Sequence, residues 1–353
     1  MSENVIRRLD KDGHMYFMDY KGDYYDPKII EEVIRRNTQV PGCSCFLTHN
    51  EKGEVLTCRN YDLGHRVSAE DPSYTGLNVV MHCKPQGKYE SIGIADAVWL
   101  DPVSPLYQTG GPDLPDFDPE MFLCLPYACM DGLNEKGLSA NLLKVVIKKG
   151  DQPAMAEYSC GILLRNILDN CASVDETVEL VKNFRYRPED WQSVHVFVTD
   201  ANGKSVIMES RNGKLSIAET DIASNFYLCS NDAEDSYRNG ALHERAVILS
   251  GLDGKSRYSY GSGHGYHRFA CMLSQLEMYQ DRSSEEYRTV MPESQAKVIL
   301  RSVIQNTNTR AAGVTMTQYS AIYNNTAGTM KVWSYQDFST SFSFDVTGKE
   351  ISE

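Results

Sequence analysis

The sequence is poor in positive charge. Its 35 lysine and arginine residues stand against 48 aspartate and glutamate residues, which gives a net charge of −13. A protein with this excess of negative charge is repelled by phosphate backbones and by anionic membrane surfaces. The composition therefore argues against nucleic-acid binding and against binding to a membrane surface.

Long apolar runs are also lacking. The first ten residues contain no apolar stretch of signal-peptide length, and no later segment has the run of apolar residues that crosses a bilayer. We therefore expect a cytoplasmic protein with no membrane partner. The glycines at 261, 263 and 265 miss the dinucleotide-binding spacing and follow no clear βα unit, so no nucleotide cofactor is predicted.

The ten cysteines do not form a recognisable framework. A chain of this length does not need disulfides to support its core, and we expect most cysteines to be reduced and buried. Partial metal-ligand sets do occur, namely Cys43 with Cys45, Cys124 with Cys129, and His264 with His267. None of them completes a four-ligand zinc spacing, so no metal site is predicted.

The first 42 residues differ from the rest and predict a leader, or pro-segment. Asp26-Pro27 is a typical helix start, and apolar residues recur at helical spacing until Asn37. Pro41-Gly42 then breaks the chain. We expect residues 43–353 to form a single domain.

Within that domain, the element order predicts the α+β class. Hairpin turns at 200–203 and 211–213 indicate antiparallel strands, and helices separate one group of strands from the next. The predicted strands are 43–47, 55–59, 77–82, 138–147, 194–199, 205–209, 214–218, 314–323 and 329–335. The predicted helices cover about 157–170, a segment starting at Ser173, 267–280 and 292–306. A proline-rich, aromatic loop at 98–127 suits a lid over an apolar pocket, and a polar tail closes the chain.

The first predicted hairpin has the chemistry of a nucleophilic site. It places the Cys43 thiol near Arg59 and Asp62, and a permanently charged arginine favours the thiolate. An Arg-x-x-Asp pair by itself is more often a solvated surface pair. Cys45 is a rival nucleophile because it shares a strand face with Cys43.

This hairpin resembles the start of the mature chain in the choloylglycine hydrolases, which include bile salt hydrolases and penicillin V acylases. The resemblance rests on Arg59-Asn60-x-Asp62 after the first hairpin, and on the string Asp131-Gly-Leu-Asn-Glu-Lys-Gly-Leu138. Further similar stretches in the same order lie at 194–209, 227–232, 263–269 and 316–320. Together they cover nearly all of residues 43–335.

The resemblance implies a four-layer αββα sandwich of two antiparallel sheets, the N-terminal-nucleophile hydrolase fold. It implies that Cys43 becomes the N-terminal nucleophile after self-cleavage at Gly42-Cys43, with Arg59 beside the thiol and Asp62 on the α-amine. The remaining implied site residues are two oxyanion donors, the Lys144 backbone N–H and the Asn231 side chain, and a second arginine, Arg268. Family members carry Asn or Tyr where this chain has Lys144.

The implied function is hydrolysis of a linear, non-peptide amide, such as a conjugated bile salt, penicillin V or another N-acyl amide, without a cofactor. The family also implies a homo-oligomer, a tetramer in known members. Two alternatives stay open: an acyltransferase of the same fold, in which an amine replaces water, and an unprocessed relative that only binds its ligand.

Overall fold

The computed structural model describes residues 4, 6–35, 42–63, 77–97, 100, 122–145, 158–183, 194–211, 214–228, 262–281, 283, 288–305 and 316–352. Most of the lid-like loop predicted at 98–127 lies outside these residues, and so does Asn231. None of the helices in these ranges has both the length and the apolar character that a membrane span needs.

A six-stranded sheet holds the predicted hairpin. Its strand order is β12-β3-β4-β13-β14-β15, and every pair in it is antiparallel. The strands are β3 (Gly42–His49), β4 (Val55–Leu63), β12 (Ile222–Ala223), β13 (Met316–Asn324), β14 (Thr329–Ser334) and β15 (Ser341–Asp345). The predicted polar tail is thus wrong in part, because β15 pairs with β14 and buries Phe344.

A nine-stranded sheet packs against the first, in the order β1-β2-β5-β6-β7-β8-β9-β10-β11. Its strands are β1 (Ile6–Arg8), β2 (Met15–Asp19), β5 (Asn78–Cys83), β6 (Ser91–Asp96), β7 (Cys129–Asn134), β8 (Ser139–Lys144), β9 (Val194–Thr199), β10 (Ser205–Arg211) and β11 (Lys214–Glu219). All its pairs are antiparallel except β2 with β5, which is parallel.

Helices cover the outer faces of both sheets, which confirms the predicted α+β class and the αββα layer order. The helices are α1 (Pro27–Arg35), α2 (Tyr158–Asn170), α3 (Val174–Asn183), α4 (Ser262–Met278) and α5 (Glu293–Ser302). Helix α2 packs on β7 and β8, whereas α4 contacts β3 and α5 contacts β4. The capping signal before α3 is confirmed, because the Ser173 hydroxyl accepts a hydrogen bond from the Glu176 backbone N–H at 3.2 Å.

The N-terminal segment is part of the same core rather than a separate unit. Strand β2 joins the nine-stranded sheet between β1 and β5, and its residues Met15, Tyr16 and Met18 are buried in the core. Behind it, the hydroxyls of Tyr24 and Tyr25 each donate to the Asp169 carboxylate of α2 at 2.8 Å. Removal of residues 1–42 would therefore expose apolar surface, although cleavage after Gly42 need not release the segment.

Strands β6 and β7 were not predicted as strands, and their burial explains why. All six residues of each strand are buried, including charged Asp96 and Asp131, so neither strand shows the apolar–polar alternation of a half-exposed strand. The turn after β7 needs a glycine at position 137, whose φ is +79°. A Cβ there would lie 2.3 Å from the Asn325 carbonyl oxygen.

Candidate active site

The hairpin β3–β4 places Cys43 next to Arg59, as the sequence predicts. Arg59 lies directly across from Cys45 in the strand register, and its side chain points into the space between the two sheets. Its Nη2 lies 3.1 Å from the Cys43 sulfur, and its Nη1 lies 3.9 Å from the Cys45 sulfur. The surface-pair interpretation of Arg59 is therefore wrong, since its side chain is wholly buried.

Burial has the largest effect on the pKa of the Cys43 thiol. Burial raises the pKa of the Cys43 thiol to about 12, and this effect outweighs Arg59, which acts to lower the pKa. The predicted influence of Arg59 thus has the right sign. Desolvation nevertheless raises the pKa of the thiol more than Arg59 lowers it, because Cys43 is 0 % exposed.

The backbone nitrogen of Cys43 has a side-chain partner. It donates a hydrogen bond to Oδ1 of Asn225 at 3.0 Å, and the Nδ2 of Asn225 donates to the Lys144 carbonyl oxygen at 2.7 Å. Cleavage at Gly42-Cys43 would convert this nitrogen to the α-amine. Asn225 therefore lies beside the atom that an N-terminal nucleophile uses as its base.

Asn225 is a site residue that the sequence prediction missed. The predicted asparagine, Asn231, lies outside the described residues, and its role stays a prediction. Asn225 lies two residues after β12, a two-residue strand that pairs with β3. A strand this short leaves no periodic pattern, so its position beside Cys43 follows only from the fold.

Asp62 and Arg268 form a buried ion pair next to this asparagine. Arg268 Nη1 lies 2.9 Å from Asp62 Oδ2, and Arg268 Nη2 donates to Asn225 Oδ1. The other Asp62 oxygen accepts a hydrogen bond from the Thr317 hydroxyl at 2.6 Å. Burial raises the pKa of the Asp62 carboxyl, while Arg268 and Thr317 act to lower it. Asp62 lies across from Gly42 in the strand register.

The structure therefore brings together Cys43, Arg59, Asp62 and Arg268, and places the Lys144 carbonyl on Asn225. Arg268 contacts Asp62 and Asn225. The predicted use of the Lys144 backbone N–H as an oxyanion donor is not tested by these contacts.

A second buried carboxylate, Asp131 of β7, balances the charge of the two buried arginines. Its Oδ2 lies 2.5 Å from the Nε of Arg59, and both side chains are fully buried. The sequence prediction used Asp131 only as the first residue of a family string. Within the described ranges, no group of three or more metal-ligating side chains occurs.

Comparisons with known proteins agree with this fold. The family model "acyl-coenzyme A:6-aminopenicillanic acid acyl-transferase" matches residues 122–331. No curated protein matches the sequence.

Among solved structures, a mutant of the conjugated bile acid hydrolase of Clostridium perfringens is similar, with a TM-score of 0.53 and 15% identity over 88% of this chain and 97% of that one. Penicillin V acylase of Agrobacterium tumefaciens is similar with a TM-score of 0.50 and 16% identity, covering 86% of each chain. At this identity the two structures support the fold. Because the family model spans more than half of the sequence, the chain belongs to the acyl-coenzyme A:6-aminopenicillanic acid acyl-transferase family.

Proposed function

We propose that the protein is a cysteine amidohydrolase that cleaves a linear, non-peptide amide through an acyl-enzyme on Cys43. The observation behind the proposal is the pair of contacts at Cys43: Arg59 at 3.1 Å from its sulfur and Asn225 at 3.0 Å from its nitrogen. Cys43 thus carries both the nucleophile, its sulfur, and the nitrogen that would become the base after cleavage. Arg59 contacts the sulfur, and Asn225 contacts the nitrogen.

The first step is self-cleavage. The Cys43 sulfur attacks the carbonyl carbon of Gly42, the Gly42–Cys43 bond breaks, and the nitrogen takes a proton to become the α-amine. Water then hydrolyses the thioester, which frees the Gly42 carboxylate and the Cys43 thiol. Gly42 has no side chain to block the attack on its carbonyl.

In the cleaved enzyme the α-amine accepts the thiol proton, and the thiolate attacks the substrate amide carbonyl. The protonated α-amine then donates its proton to the leaving amine. Water hydrolyses the acyl-thioester and releases the acid. Arg59 stabilises the thiolate, and Asp62 orients and balances the protonated α-amine. Arg268 fixes both Asp62 and Asn225, and the Lys144 backbone N–H and Asn231 are the proposed oxyanion donors.

The substrate class is proposed from family membership and from the two structural relatives, whose names describe a conjugated bile acid hydrolase and a penicillin V acylase. The direct test is a panel of glycine- and taurine-conjugated bile salts, penicillin V and simple N-acyl amides, scored for released amine. Release of amine by the wild type but not by Cys43→Ala supports the proposal.

The same panel separates hydrolysis from acyl transfer. With an added acceptor amine, a hydrolase still yields mainly the free acid, whereas an acyltransferase yields the new amide. No amine release from any member of the panel, by a chain whose mass shows cleavage after Gly42, would contradict the proposed function.

A further inference from the structure

Asp131 is a fully buried carboxylate that the proposed chemistry does not use. It contacts the same guanidinium that contacts the nucleophile: Arg59 Nε lies 2.5 Å from Asp131 Oδ2, and Arg59 Nη2 lies 3.1 Å from the Cys43 sulfur. A guanidinium is planar and rigid, so an anchor at Nε fixes the position of Nη2. The position of Asp131 therefore determines the position of Arg59 Nη2 beside the Cys43 sulfur.

Asp131 is itself held from the opposite sheet. The hydroxyls of Tyr319 and Tyr323, both on β13, each donate a hydrogen bond to one of its two carboxylate oxygens. Burial raises the pKa of the Asp131 carboxyl, whereas Arg59 and the two hydroxyls act to lower it. A solvated surface ion pair has no such fixed geometry.

We propose that Asp131, held by Tyr319 and Tyr323, is a positioning residue that keeps Arg59 against the Cys43 thiol and so controls thiolate formation. This inference rests on the proposed role of Cys43 as the nucleophile. It assigns no contact with substrate to Asp131.

The electrostatic effect of Asp131 and its positioning effect have opposite signs. Its negative charge alone raises the pKa of the Cys43 thiol, so removing that charge would make the thiol more acidic. Loss of the anchor at Arg59 Nε instead lets the guanidinium move away, which makes the thiol less acidic. The sign of the change in an uncharged variant therefore distinguishes positioning from simple charge repulsion.

The groups around the thiol that titrate or carry charge come from four elements. They are Cys45 on β3, Arg59 and Asp62 on β4, Asp131 on β7 and Arg268 on α4, which acts through Asp62. Of these, only Asp131 contacts the Nε edge of Arg59 among the described residues. The substitution Asp131→Asn changes that contact while the other four groups stay in place.

The experiment measures the rate of Cys43 alkylation by iodoacetamide from pH 5 to 10, with peptide mapping and an intact mass recorded for each sample. For Asp131→Asn we expect the pH–rate curve to shift to higher pH by about one unit, which lowers the rate about tenfold at pH values below the wild-type midpoint. Tyr323→Phe keeps the charge of Asp131 but removes one of its donors, and we expect a smaller change in the same direction.

Tyr61→Phe is the matched control. It removes another buried tyrosine–aspartate hydrogen bond between the two sheets, from the Tyr61 hydroxyl to Asp96 at 2.9 Å, and keeps the ring that packs on Arg59 and Tyr319. We expect its pH–rate curve to match that of the wild type. If Asp131→Asn does not fold, Tyr323→Phe decides the question.

A pH–rate curve that shifts to lower pH or does not shift in Asp131→Asn would overturn the proposal, and so would an unshifted curve in Tyr323→Phe. So would an equal change in Tyr61→Phe, or a wild-type protein whose Cys43 is never labelled. The measurement uses no amide substrate. A wild type that is labelled as expected but hydrolyses nothing would therefore count against the proposed function and not against this inference.

Discussion

The raised pKa of the Cys43 thiol predicts how self-cleavage depends on pH. With a pKa of about 12 in the uncleaved chain, the thiolate is a minor species at every pH at which the protein is handled. Its fraction is roughly 10⁻⁵ at pH 7 and roughly 10⁻³ at pH 9. Because the thiolate is the reactive form, cleavage at Gly42-Cys43 should accelerate about tenfold per pH unit across this range.

The assay starts from chain refolded out of denaturant at pH 6 and then transferred to buffers from pH 6 to 9. Intact mass measured over time gives the rate at which chains beginning at Cys43 form. Cys43→Ala should stay full length, and Cys45→Ala should cleave with the same slope as the wild type. A rate that does not change with pH, or that levels off near pH 7, would refute the argument from burial.

Three further predictions concern the cleaved protein. Asp62→Asn should lower kcat about 10²-fold or more, as expected for loss of a positioned acid–base partner, and thermal unfolding separates this from loss of fold; an unchanged kcat would contradict the role of Asp62. Asn225→Ala should lower activity by about 10²-fold, because it removes the side chain that holds the Cys43 nitrogen; full activity in Asn225→Ala would contradict a role for Asn225 at that nitrogen. The fragment ending at Gly42 should stay bound after cleavage, because β2 and Tyr24 hold it to the core; gel filtration followed by mass analysis should find both chains in one peak, and a lone chain from Cys43 would contradict this.

Local patterns predicted most of the fold. Strands such as β9 and β10 follow the predicted bounds closely because they have clear turn signals on both sides, and α1 and α3 follow their capping residues. The N-terminal strands were not predicted. Strand β2 pairs in parallel with β5, which lies about sixty residues further along the chain, and a parallel pair between distant segments leaves no local signal.

The residues of the candidate site were also predicted only in part. Cys43, Arg59 and Asp62 could be predicted because a tight hairpin places them together, and a short register argument is enough. Asn225 and Asp131 could not be predicted, since each becomes meaningful only when another sheet or strand brings its partner to it. A buried carboxylate needs a cationic partner, and the partner of Asp131 is Arg59 on β4 of the opposite sheet.

The central claim is that Cys43 is an N-terminal nucleophile, and a trapped acyl-enzyme tests it most directly. The protein is mixed with a substrate from the panel, quenched in acid within one turnover and examined by intact mass and peptide mapping. The account predicts a chain that begins at Cys43 and carries the acyl mass on that residue. An active enzyme in which residues 1–42 remain covalently attached, or in which the acyl group is found on Cys45, would contradict it.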